Sequence, residues 1–338
     1  MRPTLALLLL ALLAAVACDG PSTSEGASVE ASRAPAPSPT TDRPDPTSPG
    51  SEPPSSAADP SLFAYDPTVP LSPRVARSRD TRHARLDHLT FASVDGQRVP
   101  ALFSRPLDAR EPAACILLGH GLRGDKESFR LWDLLAQAGF SSLAIDARAH
   151  GERRDRVTLE RLATEPRVLE RLLRETVVDM RRAIDYLATR PECDPARTGY
   201  LGASMGGFLG TMLAGVDERV QAPVLLVSGA DWPTMLGSTE AQLFLRGATP
   251  DDIRDAGAVL DPIDPKHWAG LISPRPVLMI AGDADLAVPP AAARALHEAA
   301  QEPKTIVWYE GGHALPSGAE TERIFGRIAL WLVEHLGG

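Results

Sequence analysis

Residues 199–210 read GYLGASMGGFLG, an apolar run that ends in a serine set among glycines. Within it, Gly202-Ala203-Ser204-Met205-Gly206 fits the G-x-S-x-G pattern, in which a strand ends, a serine takes the apex of a strained turn and a helix begins at once. The turn lifts the hydroxyl above the end of a sheet. Glycines in the same places also serve a plainer purpose, letting a helix pack closely on a strand. The surrounding chain has to decide between a nucleophile and a packing device.

Outward from this stretch, short aliphatic runs alternate with amphipathic segments. CILLGHG (115–121), SSLAIDA (141–147), TGYLGAS (198–204), APVLLVSGA (222–230), PVLMIAGD (276–283) and TIVWYEGGH (305–313) each end in turn residues. Continuous apolar runs of this length suit parallel strands buried on both faces. Earlier, HLTFASV (88–94) and VPALFSRP (99–106) flank Asp95-Gly96, a hairpin signal, so the sheet is expected to start antiparallel. Between the runs lie helical patterns. Ser128 is placed to cap a helix bearing Trp132, Leu135 and Ala136; Val177, Met180, Ile184 and Leu187 form one stripe, and Ile324, Phe325, Ile328, Trp331 and Leu332 another. The alternation predicts an open α/β sheet, mostly parallel, with helices on both faces. Ligands of such sheets sit beyond the carboxyl ends of the strands, where Gly121, Ser204, Asp283 and Gly312 all fall. Residues 231–272 interrupt the rhythm with a connection too long for an ordinary loop. They are expected to form a small helical cap, with Trp232, Met235, Phe244 and Trp268 as candidate pocket walls.

The N-terminus carries a different message. Residues 1–18, MRPTLALLLLALLAAVAC, join Arg2 to an apolar run built like the core of a signal peptide. Ala15-Val16-Ala17-Cys18 resembles the bacterial lipobox, which predicts lipidation of Cys18 and an exported, membrane-anchored protein of the cell envelope; simple cleavage after the A-x-A site would release it to the periplasm or medium. Residues 19–62, rich in Pro, Ser, Thr and Ala, bury too little to offset the entropy of ordering and are expected to form a disordered tether. Its reach as a coil is on the order of 40 Å. A single domain over 63–338 follows. The 338 residues carry a formal net charge of -9, against a nucleic-acid partner, which would call for a basic surface. Eight scattered histidines and three cysteines without C-x-x-C spacing offer no metal set, and no lysine follows GASMGG to complete a nucleotide loop. No cofactor and no obligate protein partner are expected.

Taken together, His120-Gly121-Leu122-Arg123-Gly124, Asp146-Ala147-Arg148-Ala149-His150-Gly151, the GASMG turn, Gly282-Asp283-Ala284-Asp285-Leu286-Ala287-Val288-Pro289 and Gly311-Gly312-His313 resemble, in order, the motifs of the α/β-hydrolase family. The likeness covers roughly residues 86–336 and lies nearest the dienelactone hydrolase, acetyl xylan esterase and prolyl-oligopeptidase-like branches. It implies a triad with Ser204 as nucleophile, His313 as general base and an acid that fixes the histidine tautomer. Asp285 fits the family's G-x-x-D-x-x-V-P pattern, and Asp283 is the competing turn residue. The backbone N–H groups of Leu122 and Met205 are the implied oxyanion donors. His120, Arg148 and His150 are expected to brace the loops. In the family's sheet order the strands bearing Cys115 and Cys193 are neighbours, so these two either form a disulfide or stay buried thiols. The expected activity is hydrolysis of carboxylic esters, acetyl groups on small molecules or carbohydrates first. The alternatives are a prolyl-oligopeptidase-like serine peptidase and an inactive hydrolase fold used as a binding module.

Overall fold

The computed structural model describes residues 58–108, 112–155, 165–244 and 248–337. The predicted signal peptide, Cys18 and all of the tether before residue 58 lie outside them, and of Phe244 only the backbone is described. The end of the predicted tether is folded. Asp59 caps a 3-10 helix at Pro60–Phe63, and Phe63 is fully buried. Ala58 and Leu62 pack against the same core as Phe63, so this stretch is anchored to the domain.

Nine strands form one sheet, β1 (Arg74–Asp80), β2 (Ala84–Ala92), β3 (Arg98–Pro106), β4 (Ala113–Gly119), β5 (Ser141–Ile145), β6 (Cys193–Ala203), β7 (Val220–Leu226), β8 (Val277–Gly282) and β9 (Lys304–Tyr309). Their spatial order is β1-β2-β3-β5-β4-β6-β7-β8-β9. The β2–β3 hairpin turns at Asp95-Gly96 with Ala92 paired to Arg98, and β3 meets β5 antiparallel. From β5 to β9 all pairs are parallel. β1 has no counterpart among the predicted runs. Every residue of it is exposed, so no alternation of apolar and polar marks it, and its arginines suit an open sheet edge that must not pair further.

Helices cover both faces: α1 (Trp132–Gln137), α2 (Pro166–Ala188), α3 (Met205–Val216), α4 (Trp232–Leu236), α5 (Thr239–Phe244), α6 (Pro250–Leu260), α7 (Pro265–Trp268), α8 (Pro290–Ala299) and α9 (Ala319–Leu336). The stripe of α2, with Val177, Met180, Ile184 and Leu187, packs with α3 and α8 into one core. α1 and α9 close the other, where Ile324, Ile328, Trp331 and Leu332 meet Ile116, Leu201 and Val224. Ser128 does not cap α1. That helix starts at Trp132 without a side-chain cap, while the Ser128 hydroxyl closes a local turn by accepting from the Asp125 N–H at 2.8 Å.

Cys115 on β4 and Cys193 at the start of β6 are joined by a disulfide, with Cα atoms 5.5 Å apart. The bridge ties the strands that carry the His120 loop and Ser204. Closing a loop over 78 residues of separation constrains the unfolded chain by about 4 kcal/mol in the chain-entropy model. The double variant Cys115→Ala/Cys193→Ala is therefore expected to melt roughly 8–10 °C lower by calorimetry. A fall under about 2 °C would show that the bridge adds little.

Candidate active site

Ser204 stands between the end of β6 and the start of α3 with φ 55° and ψ −117°, a backbone that a non-glycine residue adopts only under strain. Its N–H donates to Leu226 O on the neighbouring strand at 2.9 Å, which pins the turn. The glycines of the opening stretch now have a mechanical reason. A Cβ on Gly206 would sit 1.9 Å from Gly119 O, so α3 can cross the end of β4 only because that position lacks one. Beneath the turn lies Tyr200, fully buried, whose hydroxyl donates to Gly206 O at 2.5 Å. Burial pushes this phenol well above its ordinary value, so it stays a neutral donor.

The Ser204 Oγ is 2.9 Å from His313 Nε2, and His313 Nδ1 is 2.8 Å from Asp285 Oδ2. A carboxylate opposite Nδ1 calls for a proton there, which leaves Nε2 free to accept from the serine. Asp285 is buried, and its other oxygen accepts from the N–H groups of Ala287 (2.8 Å) and Val288 (2.9 Å). Its orientation is thereby set by the backbone of its own loop. Asp283 is exposed and accepts from the Gly311 N–H at 3.0 Å, bracing the loop that carries His313. The Tyr309 hydroxyl donates to Gly312 O at 2.6 Å from below the same loop, with its pKa pushed up to about 12 by burial. At Gly282 a Cβ would meet Gly311 O at 2.5 Å, so the acid and histidine loops touch through a bare backbone.

Across the cleft, Leu122 follows β4 and Met205 is the first residue of α3, a position whose N–H has no partner within its helix. Both residues line the pocket that holds Ser204. The two histidines of the motifs hold the Leu122 loop in place. His120 Nε2 accepts from the Ala147 N–H at 3.1 Å, so its proton sits on Nδ1, which donates to Gly121 O at 2.8 Å. Burial pushes the His120 imidazole below its ordinary value. His150 bridges Arg148 O and Leu122 O, 2.7 Å to each. Further out, Arg148 reaches Asp179 at 2.7 Å and Asp95 at 2.6 Å, Arg153 also reaches Asp179 at 2.7 Å, and Ser93 donates to the same carboxylate. Burial opposes the Arg148 charge, but the bonds to Asp179 and Asp95 outweigh it and raise its pKa. Asp179 was not singled out from the sequence; an acid between Val178 and Met180 on a buried stripe was the available signal.

A cavity of about 480 Å³ opens beside Ser204. Leu169 and Leu173 come from α2, Phe208 from α3, and Trp232, Met235 and Leu236 from α4. Trp232 and Met235 are thus wall residues, as expected of the cap. Trp268 is not: it is fully buried and packs edge-on against Phe63, centroids 4.8 Å apart. Within the cap, buried Asp264 accepts from the N–H groups of Asp231 (2.9 Å) and Trp232 (2.8 Å), joining the start of the connection to its later part. Among the described residues, no group of three His, Cys, Asp or Glu could hold a metal ion. None of the described helices is long and apolar enough to cross a membrane.

The parallel sheet, the strained serine turn at its carboxyl edge and the Asp and His loops after β8 and β9 are those of an α/β-hydrolase. Residues 68–325 match the model of the acetyl xylan esterase (AXE1) family, and the chain belongs to that family, among the esterases of the hydrolase fold. It is similar to the putative hydrolase YtaP of Bacillus subtilis, 24% identical over 242 residues that cover 65% of this chain and 76% of the relative. Acetyl xylan esterase 1 from Thermoanaerobacterium sp. superposes with a TM-score of 0.68 at 23% identity, over 81% of this chain and 91% of that one. An acetyl xylan esterase from Paenibacillus sp. R4 gives 0.68 at 20% identity, over 82% and 92%.

Proposed function

We propose that this protein is an exported serine esterase that cleaves carboxylic esters through an acyl-enzyme, with acetyl esters among its substrates. The observation that carries the reading is the unbroken chain of hydrogen bonds Ser204–His313–Asp285 at a strained turn. His313 Nε2 takes the Ser204 proton as the oxygen attacks the ester carbonyl, and Asp285 stabilises the imidazolium that forms. The N–H groups of Leu122 and Met205 receive the oxyanion, which needs donors held in place before charge develops. His313 then passes its proton to the departing alcohol, and water repeats the sequence to release the acid. Family membership supports acetyl as one acyl group. Export through residues 1–18 and lipid attachment at Cys18 would hold the domain at the cell envelope on the tether that follows.

On matched substrates, p-nitrophenyl esters are expected to be hydrolysed at least a hundredfold faster than amino-acid p-nitroanilides. An amide leaving group is poorer and needs a more exact placement of the His313 proton, and the cavity beside Ser204 is mostly apolar. Faster turnover of the anilides would instead establish the peptidase reading.

A further inference from the structure

The cavity beside Ser204 is far larger than an acetyl group needs. A methyl group fills little more than the share of one water, about 30 Å³. Against that, about 480 Å³ stands open here, within the range of pockets that hold whole small ligands. Most of its wall is apolar. Leu169, Leu173, Phe208, Trp232, Met235 and Leu236 carry no oxygen between them, and their single N–H, Trp232 Nε1, is buried. A sugar placed against these six would leave its hydroxyls without partners, at a cost of one to several kcal/mol for each; the charged residues of the lining, Arg123 and Glu240, come from the loop after β4 and from α5. Leu122 of the oxyanion loop, which lines the cavity, is 53% exposed. A large exposed apolar side chain beside a site suits an apolar substrate.

We infer that the pocket binds the acyl part of the ester as an apolar chain or ring of roughly six to eight carbons, on the order of 200 Å³ by the same water-sized measure. This rests on the serine-esterase reading above and names its substrate class: medium-chain or aromatic acyl esters, with acetyl esters accepted but slower. Phe208, one helical turn after Met205, lines the cavity together with Leu122 and Met205, so its apolar wall begins at the oxyanion donors that hold the acyl carbonyl; His313, which hands the alcohol its proton, lines it as well. The two α2 leucines, four residues apart, form a single ridge on the wall and set how far the chain can extend.

The experiment is a series of p-nitrophenyl acetate, butyrate, hexanoate and octanoate on the full chain, with the leaving group held constant. Each buried methylene contributes up to about fourfold in kcat/KM, so at least a tenfold rise from acetate to the best of the longer esters is expected. Leu169→Trp, which fills the cavity from a partly buried position, should lower the ratio of octanoate to acetate kcat/KM at least tenfold. A rate that is highest on acetate and falls with every added carbon would overturn the inference and leave the esterase reading standing. Turnover of no ester above the Ser204→Ala background would instead remove the reading on which it rests. Because the wild-type series decides the matter, a misfolded variant would not protect the inference.

Discussion

Ser204→Ala is expected to lower kcat/KM for ester hydrolysis by about 10⁴- to 10⁶-fold while leaving the fold and the melting temperature nearly unchanged. The size follows from what is removed. Without the hydroxyl there is no acyl-enzyme, and the remaining rate comes from the Leu122 and Met205 donors acting on direct attack by water. The small effect on stability follows from the backbone: alanine and serine meet the same strain at φ 55°, and only the bond to His313 is lost. A loss of less than about a hundredfold, with the variant folded, would contradict the role given to this residue.

Asp285→Asn is expected to lower kcat by about 10⁴-fold with a much smaller change in KM. The loop determines the outcome. Oδ1 of residue 285 accepts from the N–H groups of Ala287 and Val288, so an asparagine would put its carbonyl oxygen there and turn its NH₂ toward His313 Nδ1. Two donors cannot share that contact. The histidine must then carry its proton on Nε2, the atom that faces Ser204, and can no longer accept from the hydroxyl. Asp283→Asn is the control, since that side chain only braces Gly311 and is expected to change kcat less than tenfold. Equal losses at both positions would contradict the assignment of the acid.

Much of this site is visible in the amino-acid sequence because its parts are local. A strand-to-helix turn around Ser204 must carry glycines, a loop acid must follow β8, and a histidine must follow β9, so short motifs record all three. The disulfide needed the sheet order as well, since nothing within reach of Cys115 along the chain points to Cys193. What stayed hidden depends on contacts across the fold. β1 buries nothing, so RVARSRD carries no periodic signal. Ser128 precedes α1 at a plausible distance, yet its hydroxyl is taken by Asp125. Trp268 has the look of a pocket wall and is claimed by Phe63, more than two hundred residues away in the chain. Leu169 and Leu173 read as ordinary helix core until both are seen to line the cavity beside Ser204. Tyr200, which supports the serine turn from beneath, gives no sign in the sequence of what it does, because an aromatic residue inside a strand is common.

The central claim is that Ser204 is an activated nucleophile. It is tested most directly by treating the protein with a fluorophosphonate and locating the adduct by mass spectrometry, with Ser204→Ala alongside. The account predicts one equivalent of phosphonate on the peptide containing Ser204 and none on the variant. A folded protein that takes up no label, or takes it up equally in the variant, would contradict it.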